Sequence, residues 1–236
     1  MSFLTAKWIN LALINYSVDP ESLKKYVPKG TELDLWNNTC YLSLVSFLFD
    51  DVKLKGLKIP FHSQFEEVNL RFYVKRFENG EWKRGVVFLK EIVPKPAVTL
   101  IANTFYGEHY QTLPIKHSVT PFKEKTDFVY QWKTNSKWNT LLVETNGIIE
   151  EIGNNSEAEF ITEHYFGYTQ AKNNKTTEYE VKHPKWKQYQ VTQAYVDVNF
   201  EETYGKELSF LNHSTPISAF LALGSPISVE NKKTIV

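Results

Sequence analysis

A mainly β fold, closed into a barrel or layered as a sandwich and carrying a few short helices, is what this sequence predicts. Three observations point there. Aromatic residues make up 15% of the 236 residues, with 6 Trp, 13 Tyr and 16 Phe, and flat rings suit a pleated surface. Val68 to Phe77 alternates strictly, with Val68, Leu70, Phe72 and Val74 on one face and Glu67, Asn69, Arg71 and Tyr73 on the other, the two-residue period of a strand. Other strand-like runs recur at hairpin spacing, separated by turn residues.

Each element has its own justification. Trp8 to Tyr16 is an apolar run that reads as a strand. Asp19-Pro20 then opens a short helix, with Asp as N-cap and Pro at the first helical position, and Pro28-Lys29-Gly30 stops it. Cys40 to Phe49 has the composition of a buried strand. The alternating strand ends at Asn79-Gly80, a hairpin signal because both turn positions need positive φ, and Gly85 to Val93 returns beside it. Phe128 to Lys133 and Trp138 to Val143 form a second hairpin around Asn135-Ser136. Ser156 and Glu159 have capping-box spacing and start a short helix. Tyr165 to Gln170 and Thr177 to His183 form a third hairpin, turning at Asn173-Asn174. Gln188 to Val198 is a strand, Asn199 with Glu202 caps a short helix ending at Gly205, and Ala219 to Leu223 and Pro226 to Val229 read as strands flanking Gly224-Ser225. No linker or repeat divides the chain, so residues 1–236 read as one domain.

Charge and cysteine content exclude several function classes. Lys plus Arg number 27 and Asp plus Glu number 27. A nucleic-acid partner is not expected, because binding to phosphate is driven by a basic excess. A membrane partner is not expected either: there is no polybasic patch, and the longest uncharged stretch, Leu211 to Val229, is broken by prolines. With the single cysteine Cys40 and no secretory leader pattern at Met1 to Tyr16, the expectation is a cytoplasmic protein. A homo-oligomer is compatible with the composition.

Several segments in combination carry a family resemblance. They are Phe65 to Val74, Arg84 to Phe88, Glu91 to Pro94, Ala102-Asn103, Tyr106 to Tyr110, Phe160 to Tyr165, Gly167 to Thr169 and His183 to Trp186. Together they resemble the bacterial YqjF-like family of unknown function, within the acetoacetate decarboxylase-like superfamily. The resemblance implies a single domain folded as a conical, partly closed antiparallel β-barrel around a central pocket, and it places Glu67 where the decarboxylases carry a catalytic glutamate. Those enzymes have a Tyr-Pro-Lys-Lys segment near the position of Tyr106-Gly107-Glu108-His109-Tyr110. One of its lysines forms a Schiff base with substrate. Here neither Glu108 nor His109 supplies the amine an imine needs, so the pocket is expected without the decarboxylase chemistry.

The candidate site follows from these residues. Glu67, Asn69 and Arg71 form a row of carboxylate, amide and guanidinium on one strand face. This is either a pocket wall, with Arg71 holding a carboxylate or carbonyl oxygen and Glu67 moving a proton, or a salt-bridge network filling the barrel. The triplets Glu108-His109-Tyr110 and Glu163-His164-Tyr165 repeat one pattern. Glu67 and His109 are the expected acid/base residues. Asn69, Arg71, Tyr73, Tyr106, Glu108, Tyr110, Glu163 and His164 are expected to contact a small polar or carboxylated molecule. No metal or cofactor is expected, since adjacent strand residues face opposite ways and no paired-histidine spacing occurs. Alternation places Lys90 with Phe88 and Ile92, and Glu91 with Leu89 and Val93. Lys90 thus reads as an outward lysine rather than a displaced Schiff-base residue, and Lys95 and Lys116 read as loop lysines. Trp132, Trp138 and Trp186 are either an aromatic ligand wall or core cover. Cys40, in an apolar strand, has no electropositive setting to make it reactive. A carrier without catalysis, and a filled structural barrel, remain the rival readings.

Overall fold

The computed structural model describes residues 2–171 and 175–235. Among the described residues fifteen strands run in chain order: β1 (Leu4–Ser17), β2 (Glu32–Leu33), β3 (Tyr41–Leu54), β4 (Leu57–Lys58), β5 (Phe65–Glu78), β6 (Glu81–Val93), β7 (Tyr110–Thr112), β8 (Ile115–Pro121), β9 (Thr126–Lys133), β10 (Trp138–Glu151), β11 (Phe166–Gln170), β12 (Thr176–Lys182), β13 (Lys187–Asp197), β14 (Ser218–Val229) and β15 (Lys233–Thr234). Four short α-helices, α1 (Pro20–Leu23), α2 (Pro96–Ile101), α3 (Glu157–Thr162) and α4 (Phe200–Tyr204), sit between them.

The expected caps are present. Asp19 accepts from the Glu21 amide, Ser156 from the Glu159 amide and Asn199 from the Glu202 amide. The β5–β6 turn has Asn79 at φ 54° and Gly80 at φ 87°, the mirror-image turn that matches strand twist. The pairing of β11 with β12 is as expected, whereas the turn expected at Asn173-Asn174 falls outside the described residues. No helix is predicted from the sequence over 96–106, yet α2 continues there into a π-helical turn, Ala102–Tyr106.

Strands β12, β11, β6, β5, β3, β1 and β14 are neighbours in that order, and β14 also pairs with β12, so they form a partly closed ring. Pairing is antiparallel except where β6 meets β7 and β11 in parallel. Beyond β14 the sheet continues through β13, β10, β9 and β8.

Two cores result. Val68, Leu70 and Phe72 of β5, with Ile14 of β1 and Leu44 of β3, pack in one cluster with Phe128, Tyr130 and Trp132 of β9 and Leu141 of β10. The other cluster joins Leu11, Phe47, Phe65, Val86 and Trp186 and lines the inside of the ring.

Two irregularities set which residues face inward. Ile9 and Ala12 of β1 pair with Leu48 and Ser46 of β3, so β1 carries one extra residue at Asn10, which has φ 54°. Leu70 and Arg71 of β5 pair with Lys90 and Phe88 of β6, so β6 has a bulge at Leu89. A bulge reverses the side-chain alternation beyond it.

The two strands expected around Gly224-Ser225 are one continuous strand, β14. Gly224 lies against the Trp8 carbonyl and has no turn to make. Lys116 is corrected too: it lies exposed in β8, 4.5 Å over the Trp138 ring, rather than in a loop. No helix among the described residues is long and apolar enough to cross a membrane.

Candidate functional site

The inside of the ring holds a cavity of about 190 Å³, room for an organic molecule rather than a single water. Its walls are mainly apolar and aromatic, from Phe47, Phe49, Phe88 and Trp186 among others. Set into them are Glu67, Asn69 and Arg71 of β5, Glu91 of β6, Glu108 and Tyr110 at β7, His164 after α3, and Tyr179 of β12. A few polar groups in an apolar concavity is the usual composition of a small-molecule site.

The polar groups form two networks. Asn69 Nδ2 donates to Glu67 Oε1 and the Tyr110 hydroxyl donates to Glu67 Oε2, both at 2.9 Å. Beside them the Thr169 hydroxyl donates to Glu108 Oε1 at 2.7 Å. Glu67 and Glu91 are 2% exposed and Glu108 is 7% exposed. Burial pushes the Glu67 carboxyl up to about 7 against the opposing bonds from Asn69 and Tyr110 and the Arg71 charge. Burial likewise raises Glu108 to about 7, opposed by bonds from Thr169 and Tyr179. Glu91 is raised well above the ordinary range by burial and then by its two acidic neighbours. A carboxyl that titrates near neutrality can both give and take a proton, the property general acid/base chemistry needs.

The second network sets the orientation of His164. Its Nε2 lies 3.2 Å from Asp34 Oδ2, and Arg84 Nε donates to the same oxygen at 2.7 Å. Burial pushes His164 down to about 4, although the Asp34 bond works the other way. The ring is therefore neutral at pH 7 and donates to Asp34, leaving Nδ1 as an acceptor. Arg71 Nη2 donates to the Ile161 carbonyl at 3.3 Å.

The expected residues separate accordingly. Glu67, Asn69, Arg71, Tyr106, Glu108, Tyr110 and His164 come together on the cavity, and His109, Tyr73 and Glu163 do not line it. His109 is exposed, while its carbonyl accepts from the Glu91 amide. Tyr73 lies behind the wall, its hydroxyl 2.7 Å from Ser43 Oγ. Glu163 accepts from the Tyr165 hydroxyl. The two triplets thus contribute opposite members, Glu108 and Tyr110 from one and His164 from the other.

Glu91 and Tyr179 are among the lining residues that sequence reading missed, with His62, Thr162 and His183. Glu91 is hidden by the bulge at Leu89, which puts it on the same face as Phe88 and leaves Lys90 on the other. The Lys90 ammonium donates to the Thr203 carbonyl of α4, and burial lowers its pKa. Tyr179 was legible from the alternation of Tyr179, Val181 and His183, all of which line the cavity. Of the three tryptophans only Trp186 does so. Trp132 is in the other core and Trp138 is partly exposed. Cys40 is buried, which pushes its thiol up to about 11. Among the described residues, no lysine lines the cavity and no group of three His, Cys, Asp or Glu is arranged to hold a metal.

Gly167 shapes the Glu108 side. A Cβ there would stand 2.2 Å from Tyr179 Cζ. We expect Gly167→Ala to displace that ring and cost about 1–3 kcal/mol by overpacking, measured as a lower urea midpoint. An unchanged midpoint would show that the ring yields freely.

Comparison with known proteins places this architecture. The model of DUF2071, described as an uncharacterized conserved protein, matches residues 5–226. The chain belongs to the DUF2071 family. A relative within reach of sequence comparison is the uncharacterized protein YqjF of Bacillus subtilis (strain 168), 29% identical over 104 residues, a stretch covering 44% of this chain and 41% of YqjF. Among solved structures, acetoacetate decarboxylase from Legionella pneumophila superposes with a TM-score of 0.66 at 12% identity, over 98% of this chain and 87% of that one. The enduracididine biosynthesis enzyme MppR, complexed with pyruvate, gives 0.65 at 11% identity, over 99% and 91%. An acetoacetate decarboxylase-like enzyme from Sphingomonas wittichii RW1 gives 0.65 at 11%, over 100% and 94%. These likenesses show that this DUF2071 protein has the acetoacetate decarboxylase-like fold.

Proposed function

We propose that this DUF2071 protein binds a small polar organic molecule bearing a carboxylate or carbonyl oxygen in the central cavity. Arg71 holds that oxygen and Glu67 exchanges a proton with the ligand. One observation carries the reading: Arg71, the guanidinium on the cavity wall, has its Nε buried without a partner, two residues along the strand from a carboxyl titrating at about 7. A buried donor without a partner costs about 1–3 kcal/mol, so an oxygen placed there is favoured. The exposed position of His109 leaves the proton-transfer role to Glu67. With no lysine among the lining residues, proton transfer beside a carbonyl fits the wall better than imine chemistry. The cavity itself weighs against a barrel filled by its own side chains.

The test is a thermal-shift screen with small carboxylates, keto acids and carbonyl compounds on the parent, Arg71→Ala and Glu67→Gln. Pyruvate belongs in the panel because the similarly folded MppR is complexed with it. A ligand at about 100 times its Kd adds about 2.7 kcal/mol. The expected result is a stabilising compound whose effect disappears in Arg71→Ala and persists in Glu67→Gln. A panel without hits would reject the reading. Turnover of the hit, lost in Glu67→Gln, would separate an enzyme from a carrier.

A further inference from the structure

The cavity wall holds unpaired acceptors as well as the unpaired donor on Arg71. Asn69 Oδ1 and Glu91 Oε2 are both buried without a hydrogen-bond partner. They are cross-strand neighbours, since Asn69 and Glu91 pair in the β5–β6 register, and Asn69 is 1% exposed. The single amide of Asn69 is already oriented by its bond to Glu67, so its oxygen stays turned away from that carboxyl. Burial keeps the Glu91 carboxyl protonated, so with the proton on Oε1 its Oε2 is an acceptor, and beside Asn69 Oδ1 it presents a pair of acceptors complementary to a group rich in N–H. Asn69 and Arg71, next to one another on the same strand face, are about 6–7 Å apart along β5. A compact molecule carrying both functions spans that interval.

Charge balance narrows the class. An anion alone would place its carboxylate beside Arg71 but also among Glu67, Glu91 and Glu108. A cation alone would meet those acids but also the guanidinium. A molecule carrying both charges enters without changing the net charge of a buried site, where an uncompensated charge is costly. We infer that the ligand is a small amino acid or amino-keto acid, with its ammonium on Asn69 Oδ1 and Glu91 Oε2 and its carboxylate on Arg71. This rests on the ligand-binding reading above and specifies it.

Matched pairs test it. Calorimetry on the parent would compare propanoate with alanine and β-alanine, butanoate with 4-aminobutanoate, and 4-oxopentanoate with 5-amino-4-oxopentanoate. The expected result is that in at least one pair the amino compound binds at least tenfold more tightly. In Glu91→Gln that advantage should fall below about threefold while the affinity of the compound without the amine is kept. Asn69→Ala is a second variant, expected to reduce the same advantage, and the comparison on the parent stands even if both variants fold poorly. Equal or tighter binding by the compounds lacking the amine overturns the inference and leaves the ligand-binding reading intact. An amine advantage undiminished in both variants also overturns it. Failure of every compound, with and without the amine, overturns both.

Discussion

A Gly224→Ala chain should lose about 2–5 kcal/mol of stability, the largest single-residue effect expected outside the cavity. Gly224 has φ 81°, and a Cβ built there would stand 2.0 Å from the Trp8 carbonyl oxygen and 2.7 Å from its carbon. The conformational part costs about 1–2 kcal/mol for an L-residue. The steric part adds about 1–3 kcal/mol, because the obstructing atoms are backbone held in the β1–β14 ladder. The position explains the need. Before Gly224, Leu221 and Ala222 of β14 pair with β13, and after it Ser228 and Val229 pair with β12. One strand thus serves the outer sheet with its first half and closes the ring with its second, while β1 follows it throughout. Gly56 provides the control: its φ is 82°, with nothing within 4 Å of an added Cβ. Gly56→Ala should therefore show the conformational cost alone. Thermal melts should place Gly224→Ala about 4–20 °C below the parent and below Gly56→Ala. Equal melting temperatures for the two would dismiss the steric account.

Much of this architecture was legible because strand periodicity reports directly on burial. The alternation in β5 correctly separates Leu70 and Phe72, in the core, from Glu67, Asn69 and Arg71, on the cavity. The caps at Asp19, Ser156 and Asn199 were legible because each is a local bond between neighbours in sequence. What escaped depends on departures from periodicity. A period-two reading of β6 assigns Glu91 to the wrong company because the extra residue at Leu89 leaves no signature in a run of apolar residues. Tyr73 obeys the alternation but is drawn off by Ser43, a partner thirty residues away in sequence. Gly224-Ser225 resembles a turn until the approach of Trp8 is known. The helix over 96–106 has Pro96 at its first position but lacks a side-chain cap at Lys95, so its local signal is half of the one that marks Asp19-Pro20. The repeated triplets pointed to the right region, yet which member turns inward was set by the strands around them.

Stability of the parent should fall between pH 5 and pH 8, and Glu67→Gln should remove much of that fall. Glu67 and Glu108 titrate at about 7 and Glu91 well above its ordinary 4.5. A carboxyl raised in the folded state contributes fully below about pH 4.5, and the contribution is lost as pH rises through about 7. For Glu67, the interval from 4.5 to about 7 corresponds to about 3 kcal/mol at about 1.4 kcal/mol per pH unit. His164 acts in the opposite sense. Held down at about 4 from 6.5, it contributes above pH 6.5 and loses that contribution as pH falls through 4. His183 is lowered by burial too and acts in the same sense as His164, but both histidines have lost their protons by the upper part of this range, where the three raised carboxyls still titrate, so the net change on the alkaline side is a decline. Gln at position 67 keeps the shape and the amide bonding while removing the charge. Its gain at pH 8 should reach no more than about 3 kcal/mol, and the relief it gives Glu91 and Glu108 will lower their own titration. Urea unfolding at pH 5 and pH 8 checks both statements. A parent stability that is flat or rising over this range, or a Glu67→Gln chain no more stable than the parent at pH 8, would contradict them. The same burial that makes the folded chain sensitive to alkali is what brings Glu67 to the pH at which it can exchange a proton. If Glu67 exchanges a proton with a ligand as proposed, the cavity holds its carboxyls together at the expense of stability, and a substitution that strengthens the fold at pH 8 should be one that silences the site.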